Sequence, residues 1–249
     1  MTIEELIGNG CVMAIGGNED KRAASESILA AFVRRAGGKQ ARIVIIPSAS
    51  VAPKERGERY TRIFNRFRAG VVQVVRAELG VTVEQREAIR TATGIFVTGG
   101  DQLRLMRFLR SADCIDEILE AVREGAVYAG TSAGASALSR RMIARSRRKR
   151  GAELVEFDEG LGLIPHAIID QHFGERRRLS RLIAASHEHR LTGIGIDENT
   201  AVVWSHDGVI TVEGAGEVTI VNPDHGRMEP HAQTYRLQIL RRGAKFVAD

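Results

Sequence analysis

A serine flanked by residues without bulk stands at the centre of Tyr128-Ala129-Gly130-Thr131-Ser132-Ala133-Gly134-Ala135. The segment fits G-x-S-x-G, between an apolar run and a helix-forming run. A serine hydroxyl is a weak nucleophile alone. It needs a base within roughly 3 Å and a third group to fix the tautomer of that base. Small neighbours allow a sharp turn from which Oγ projects free. The amide of Ala133 then points at the reaction centre and can donate to an oxyanion. A glycine-rich turn that only packs a helix on a strand has the same composition, so the motif needs partners.

Seven histidines are available: His166, His172, His187, His189, His206, His225 and His231. His172 is the best placed. It follows the apolar run Ala167-Ile168-Ile169 in Asp170-Gln171-His172-Phe173-Gly174, where a strand should end. His187 and His189 fall late in a charged helical stretch and read as solvated. His225 and His231 lie in a polar C-terminal segment. Three acids could orient the imidazole: Glu198 and Asp197, in Gly195-Ile196-Asp197-Glu198-Asn199, or Asp170 close by. Two further turns, Gly16-Gly17-Asn18-Glu19 and Gly99-Gly100-Asp101-Gln102, share the strand-then-glycine design. Amides around Gly100 and Asp101 could supply a second oxyanion donor; otherwise both read as plain tight turns. Neither has the three spaced glycines of a dinucleotide site or the Gly-Lys-Ser/Thr of a phosphate loop.

The elements that must position these groups alternate along the chain. Cys11–Ile15, Arg42–Ile46, Val71–Val75, Gly94–Thr98 and Ala126–Ala129 read as strands. Lys21–Arg35, Glu84–Thr91 and the stripes Tyr60, Ile63, Phe64, Phe67 and Ile115, Ile118, Leu119, Val122 read as helices. Ala133–Leu138 should form the helix behind the serine. Such alternation predicts an α/β fold, a mostly parallel sheet with helices on both faces. In a parallel sheet the strand C-termini share one edge, so the glycine turns should converge near Ser132. The runs Ile194–Ile196, Ala201–Trp204, Val209–Val212 and Val218–Val221 predict antiparallel strands appended at one edge. No linker or repeat divides residues 1–249, which we read as a single catalytic domain.

Composition narrows the partners. The 249 residues are 43% hydrophobic and 27% charged, enough for a sizeable core. No apolar run reaches membrane-helix length, and the first residues lack a basic signal-peptide region, so a cytoplasmic protein without membrane attachment is expected. The net charge of +5 is concentrated in Ser146–Arg150, read as a surface loop, and in Glu175–Arg178. Aromatic residues, at 5%, offer few stacking platforms, and nucleic acid is not the expected partner. Cys11 and Cys114 read as small core residues. No ligand cluster has zinc spacing, and neither metal nor cofactor is expected.

In order and spacing, IGGNEDK, VTGGDQ, GTSAGAS, GLGLIP, IDQHFGERRR and IGIDENTA resemble the cyanophycinase family, from about Ala14 to Trp204. That serine peptidase family also includes aspartyl dipeptidase, and its fold is like that of class I glutamine amidotransferases. The resemblance implies Ser132 as nucleophile, His172 as base and Glu198 as third member. It puts Gln102, Asp170, Gln171, Arg176, Arg178 and Arg181 at positions that contact or frame substrate. The implied reaction is exopeptidase cleavage of cyanophycin (multi-L-arginyl-poly-L-aspartate), an aspartate backbone with arginine on each side chain, to β-Asp-Arg dipeptides. The three arginines would meet substrate carboxylates, with Arg178 and Arg181 on one helix face and Arg176 near its start. Asp101, Glu19 and Asp20 are the acids placed for a substrate arginine. The resemblance also implies a homodimer. The rival readings are an aspartyl dipeptidase acting on short Asp-X peptides and a catalytically silent binding module on the same fold.

Overall fold

The computed structural model describes residues 2–20, 27–149, 152–223 and 234–247. Its main sheet is built around β1 (Cys11–Ile15), β2 (Arg42–Ile46), β3 (Val71–Val74), β4 (Gly94–Val97) and β5 (Val127–Thr131), all parallel to one another. Helix α1 (Ile3–Ile7) precedes them, α2 (Ile28–Arg35), α3 (Pro53–Arg66), α4 (Val83–Arg90), α5 (Gln102–Ser111) and α6 (Ile115–Arg123) run between them, and α7 (Ala133–Ser136) follows β5. The helices start where local chemistry predicts. Ser27 caps α2, Pro53 opens α3, Thr82 and Gln85 form a capping box on α4, and Asp101 caps α5. The expected helix from Lys21 is seen from Ile28; residues 21–26 lie outside the described residues, as do His225 and His231.

Strand side chains alternate between two cores. Val12, Ala14, Val44, Ile46, Ile95 and Val97 pack with α5 and α6. Met13, Ile15, Ile43, Ile45 and Phe96 pack with α2 and α3. On that second face Phe32, Phe64, Phe96 and Tyr60 interlock, with ring centroids 4.6–5.9 Å apart.

The rest of the chain departs in part from expectation. Two further strands form a separate hairpin, β6 (Arg141–Lys149) and β7 (Ala152–Glu159), so the basic segment read as a loop is mostly a strand. Strand β8 (Ala167–Gln171) is followed by α8 (Leu179–His189) and β9 (Thr192–Ile196). Then come β10 (Thr200–Ser205), β11 (Val209–Gly214), β12 (Val218–Pro223), β13 (Tyr235–Leu240) and β14 (Lys245–Val247). The main sheet runs β14-β11-β10-β1-β5-β4-β2-β3, the late strands joining antiparallel beside β1. Not all of them do so: β13-β12-β9-β8 is a second sheet, in which β8 and β9 are parallel. One face of it joins the main core through Ile169, Ile194 and Ile220. The other packs under α8 through Ile168, Val221, Leu182 and Ala185. Strands β8 and β9 are buried along almost their whole length, so periodicity could not assign them to a sheet. Among the described residues no helix is long and apolar enough to cross a membrane.

Candidate active site

Strands β1, β5 and β4 are neighbours in that order, and their C-terminal ends carry the three glycine turns. Ser132 is the first residue after β5. Its backbone sits at φ 53°, ψ −108°, a conformation L-residues avoid, and its N–H donates to the Ile15 carbonyl at 2.9 Å. The turn is possible because its flanks are bare. A Cβ on Gly130 would lie 2.2 Å from the Gly134 carbonyl oxygen, and one on Gly134 would lie 2.5 Å from that of Val97. The strain is held by the surrounding sheet and throws Oγ clear of the strand.

His172 follows β8, also at positive φ (49°), with its N–H donating to the Gly16 carbonyl at 2.8 Å. Its Nε2 is 3.0 Å from Ser132 Oγ, and its Nδ1 is 2.6 Å from Glu198 Oε1. The ring is largely buried, at 11% side-chain exposure against 28% for Glu198. Of the three acids considered as orienters, Glu198 alone reaches the imidazole. Asp197 instead accepts the backbone N–H groups of Gly174 and Glu217, at 2.9 and 3.1 Å. Asp170, 1% exposed, pairs with Arg178 and Arg181. Burial would raise the Glu198 carboxyl pKa, but hydrogen bonds from His172 and Asn18 outweigh it and hold the pKa below its usual value.

Asn18 escaped the reading of the sequence. Its Nδ2 donates to Glu198 Oε2 at 2.7 Å, fixing the carboxylate from the side opposite His172. The turn Gly16-Gly17-Asn18-Glu19, expected to be a plain tight turn, is the floor of the site. Gly17 lies under the His172 ring and its carbonyl accepts the Asn199 N–H at 2.8 Å. Glu19, considered for a substrate arginine, is buried and accepts from Tyr60 Oη and, at 2.6 Å, from Thr131 Oγ1. It ties this floor to Thr131, the residue before Ser132. The backbone N–H of Asp20 donates to Asn199 Oδ1 at 2.9 Å. The available signal for Asn18 was that its turn repeats the strand-then-glycine design of the serine turn.

The oxyanion candidates divide. No acceptor for the N–H of Ala133 or Gly100 is found among the described residues, and the turn holding Gly100 abuts Ser132 through Gly99. Asp101 requires correction: its N–H is spent on the Ala49 carbonyl at 2.9 Å, and its side chain caps α5 by accepting from the Arg104 N–H at 2.8 Å.

The residues given to substrate are also distributed unevenly. Gln171 Oε1 lies 3.4 Å from Ser132 Oγ, within the site. Gln102 Nε2 donates to the carbonyls of Ile143 and Ala144 at 3.0 and 3.1 Å, tethering the β6–β7 hairpin. Arg178 and Arg181 both hold Asp170, and Arg178 also donates to the Gln171 carbonyl at 2.6 Å. Burial depresses the Arg178 pKa against the pull of Asp170. Their forks thus clasp the strand end that carries His172. Arg178, expected on one face of α8 with Arg181, stands instead just before the helix, because the chain runs through a non-helical turn at Arg177. Arg176 is exposed and makes no side-chain hydrogen bond or ion pair among the described residues, though its charge helps to lower the Glu198 pKa. His189, expected to be solvated, stacks edge-on against Phe157 at 4.3 Å. Cys114 is buried, and burial pushes its thiol up to about 11.

Comparison with known proteins finds relatives along most of the chain. Peptidase family S51 matches residues 12–212. Cyanophycinase of Trichormus variabilis is 43% identical over 253 residues, spanning 94% of this chain and 84% of that protein. Cyanophycinase of a Nostoc species is 42% identical over the same shares. The crystal structure of a peptidase from an acI-B1 Actinobacterium has the same fold, with a TM-score of 0.73. It covers 98% of this chain and 99% of its own at 23% identity.

Proposed function

This chain belongs to peptidase family S51, and on that premise we propose that it is a cyanophycinase working through Ser132, His172 and Glu198. The observation that carries the site assignment is the unbroken relay from Ser132 Oγ to His172 Nε2 and from Nδ1 to Glu198, at 3.0 and 2.6 Å. Ser132 Oγ attacks the carbonyl carbon of an aspartyl backbone bond while Nε2 takes its proton. Glu198 accepts from Nδ1–H and steadies the imidazolium. The N–H groups of Ala133 and Gly100 receive the oxyanion. Collapse of the tetrahedral intermediate breaks the C–N bond, and Nε2–H protonates the leaving amine. Water, deprotonated by the same imidazole, then releases the acyl group, and repeated cleavage yields β-Asp-Arg dipeptides.

Gln171 borders the nucleophile and Arg176 offers a guanidinium for a substrate carboxylate. Asp170, Arg178 and Arg181 support the site from behind. The test is incubation of purified cyanophycin with the protein and mass analysis of the products. The wild type releases β-Asp-Arg, and Ser132→Ala, still folded by circular dichroism, releases none. Retained activity in that variant refutes the assignment of Ser132. Activity on α-aspartyl dipeptides but none on polymer would make the protein an aspartyl dipeptidase.

A further inference from the structure

The β6–β7 hairpin carries a row of positive charge that the site leaves unused. Its strands alternate inner and outer faces. On the inner face Ile143, Val155 and Phe157 join the apolar cluster with Leu182 of α8, and Glu153 accepts from Ser180 Oγ at 3.3 Å. The register shifts between Ile143 and Arg145, so Ala144 is a bulge. A bulge exchanges the faces of every later residue on its strand. Arg145, Arg147 and Lys149 are thereby turned outward, and all three are exposed with no side-chain partner among the described residues. Opposite Arg145 stands Glu156, and opposite Arg147 stands the exposed Leu154.

This bulge is also where Gln102 binds the hairpin, through the carbonyls of Ile143 and Ala144. Gln102 is two residues beyond Gly100, in the turn against Ser132. The row of cations therefore begins at the rim of the site. Alternate residues of a strand lie roughly 6.6–6.8 Å apart on one face. An extended aspartate backbone spaces its same-side groups equally, and in cyanophycin each group ends in an arginyl carboxylate and guanidinium.

We propose that the outer face of this hairpin is an extended subsite for the polymer, remote from the bond being cut. Arg145, Arg147 and Lys149 meet carboxylates of successive same-side arginyl groups, and Glu156 meets a guanidinium. The inference rests on the cyanophycin reading above and adds the surface that distinguishes polymer from short fragments.

The test compares wild type with R145Q/R147Q/K149Q on polymer and on an oligomer of two repeats, too short to reach from the site along the hairpin. At low ionic strength the half-saturating polymer concentration should rise roughly tenfold, the order that three exposed ion pairs supply together. Polymer kcat and both constants for the oligomer should stay at the wild-type values. Arg148→Gln, on the other face, should leave polymer binding unaltered. Added salt should weaken the wild type more on polymer than on oligomer, without any substitution. Polymer kinetics of the triple variant equal to wild type, or equal losses on both substrates, overturn the proposal. A wild type that cleaves neither substrate overturns the cyanophycin reading itself, and the subsite with it.

Discussion

Gly17 and His172 are packed so closely that a methyl group on residue 17 would fall 2.3 Å from the imidazole Cε1 and 2.5 Å from Nε2. Gly17 also sits at φ +102°, where an L side chain is strained whatever the space. Gly17→Ala should therefore displace the ring from Ser132. A misplacement of about 1 Å can cost about a hundredfold in rate, so kcat should fall by at least that order while KM changes little. Stability should drop by only about 1–2 kcal/mol. Steady-state kinetics with a thermal melt checks both; a kcat within a few-fold of wild type contradicts the packing argument.

Asn18 and His172 hold Glu198 from two sides, and together they keep its pKa below the usual value of 4.5. A carboxyl whose pKa is lower folded than unfolded adds stability above the unfolded value. That contribution is lost as pH falls through the folded value. Asn18→Ala removes one of the two hydrogen bonds, so the Glu198 pKa should rise toward 4.5. The stability lost on acidification below about pH 4.5 should then be smaller than in the wild type. Carbon-detected titration of the Glu198 carboxyl, with denaturant curves at several pH values, measures the two effects. A Glu198 pKa that stays put would show the Asn18 contact to be without consequence.

Asp170 is buried between the guanidinium groups of Arg178 and Arg181. Asp170→Asn leaves both cations without their counter-charge in a largely enclosed position. Removing one partner of such a pair costs about 3–5 kcal/mol, and urea unfolding should show a loss of that order. Because Arg178 also holds the Gln171 carbonyl, next to His172, activity should fall along with stability. An unchanged midpoint would mean that the two arginines are well solvated after all.

How much of this could be read beforehand depended on how local each cause was. The serine turn was legible because everything it needs, two bare neighbours and a strand before it, lies within eight consecutive residues. His172 was legible from its place after an apolar run. The second sheet was not, since a strand buried on both faces has no alternation to reveal its partner. The bulge at Ala144 was equally hidden, as it exists only relative to β7. Resemblance across six motifs named Glu198, but the residues alone left Asp197 equal to it and Asp170 as a third option.

From the order of its residues alone, this protein's alternating strands and helices, its strained serine turn and the family it resembles were determined, because these rest on short-range sterics and hydrophobic period. Tertiary structure alone decided which of three acids meets the imidazole, which amides stay available for an oxyanion, and which arginines are spent on Asp170. Each of those outcomes is a competition between groups far apart in sequence. A hydrogen bond or ion pair has only a few ångströms of reach, so the folded backbone must first choose the neighbours.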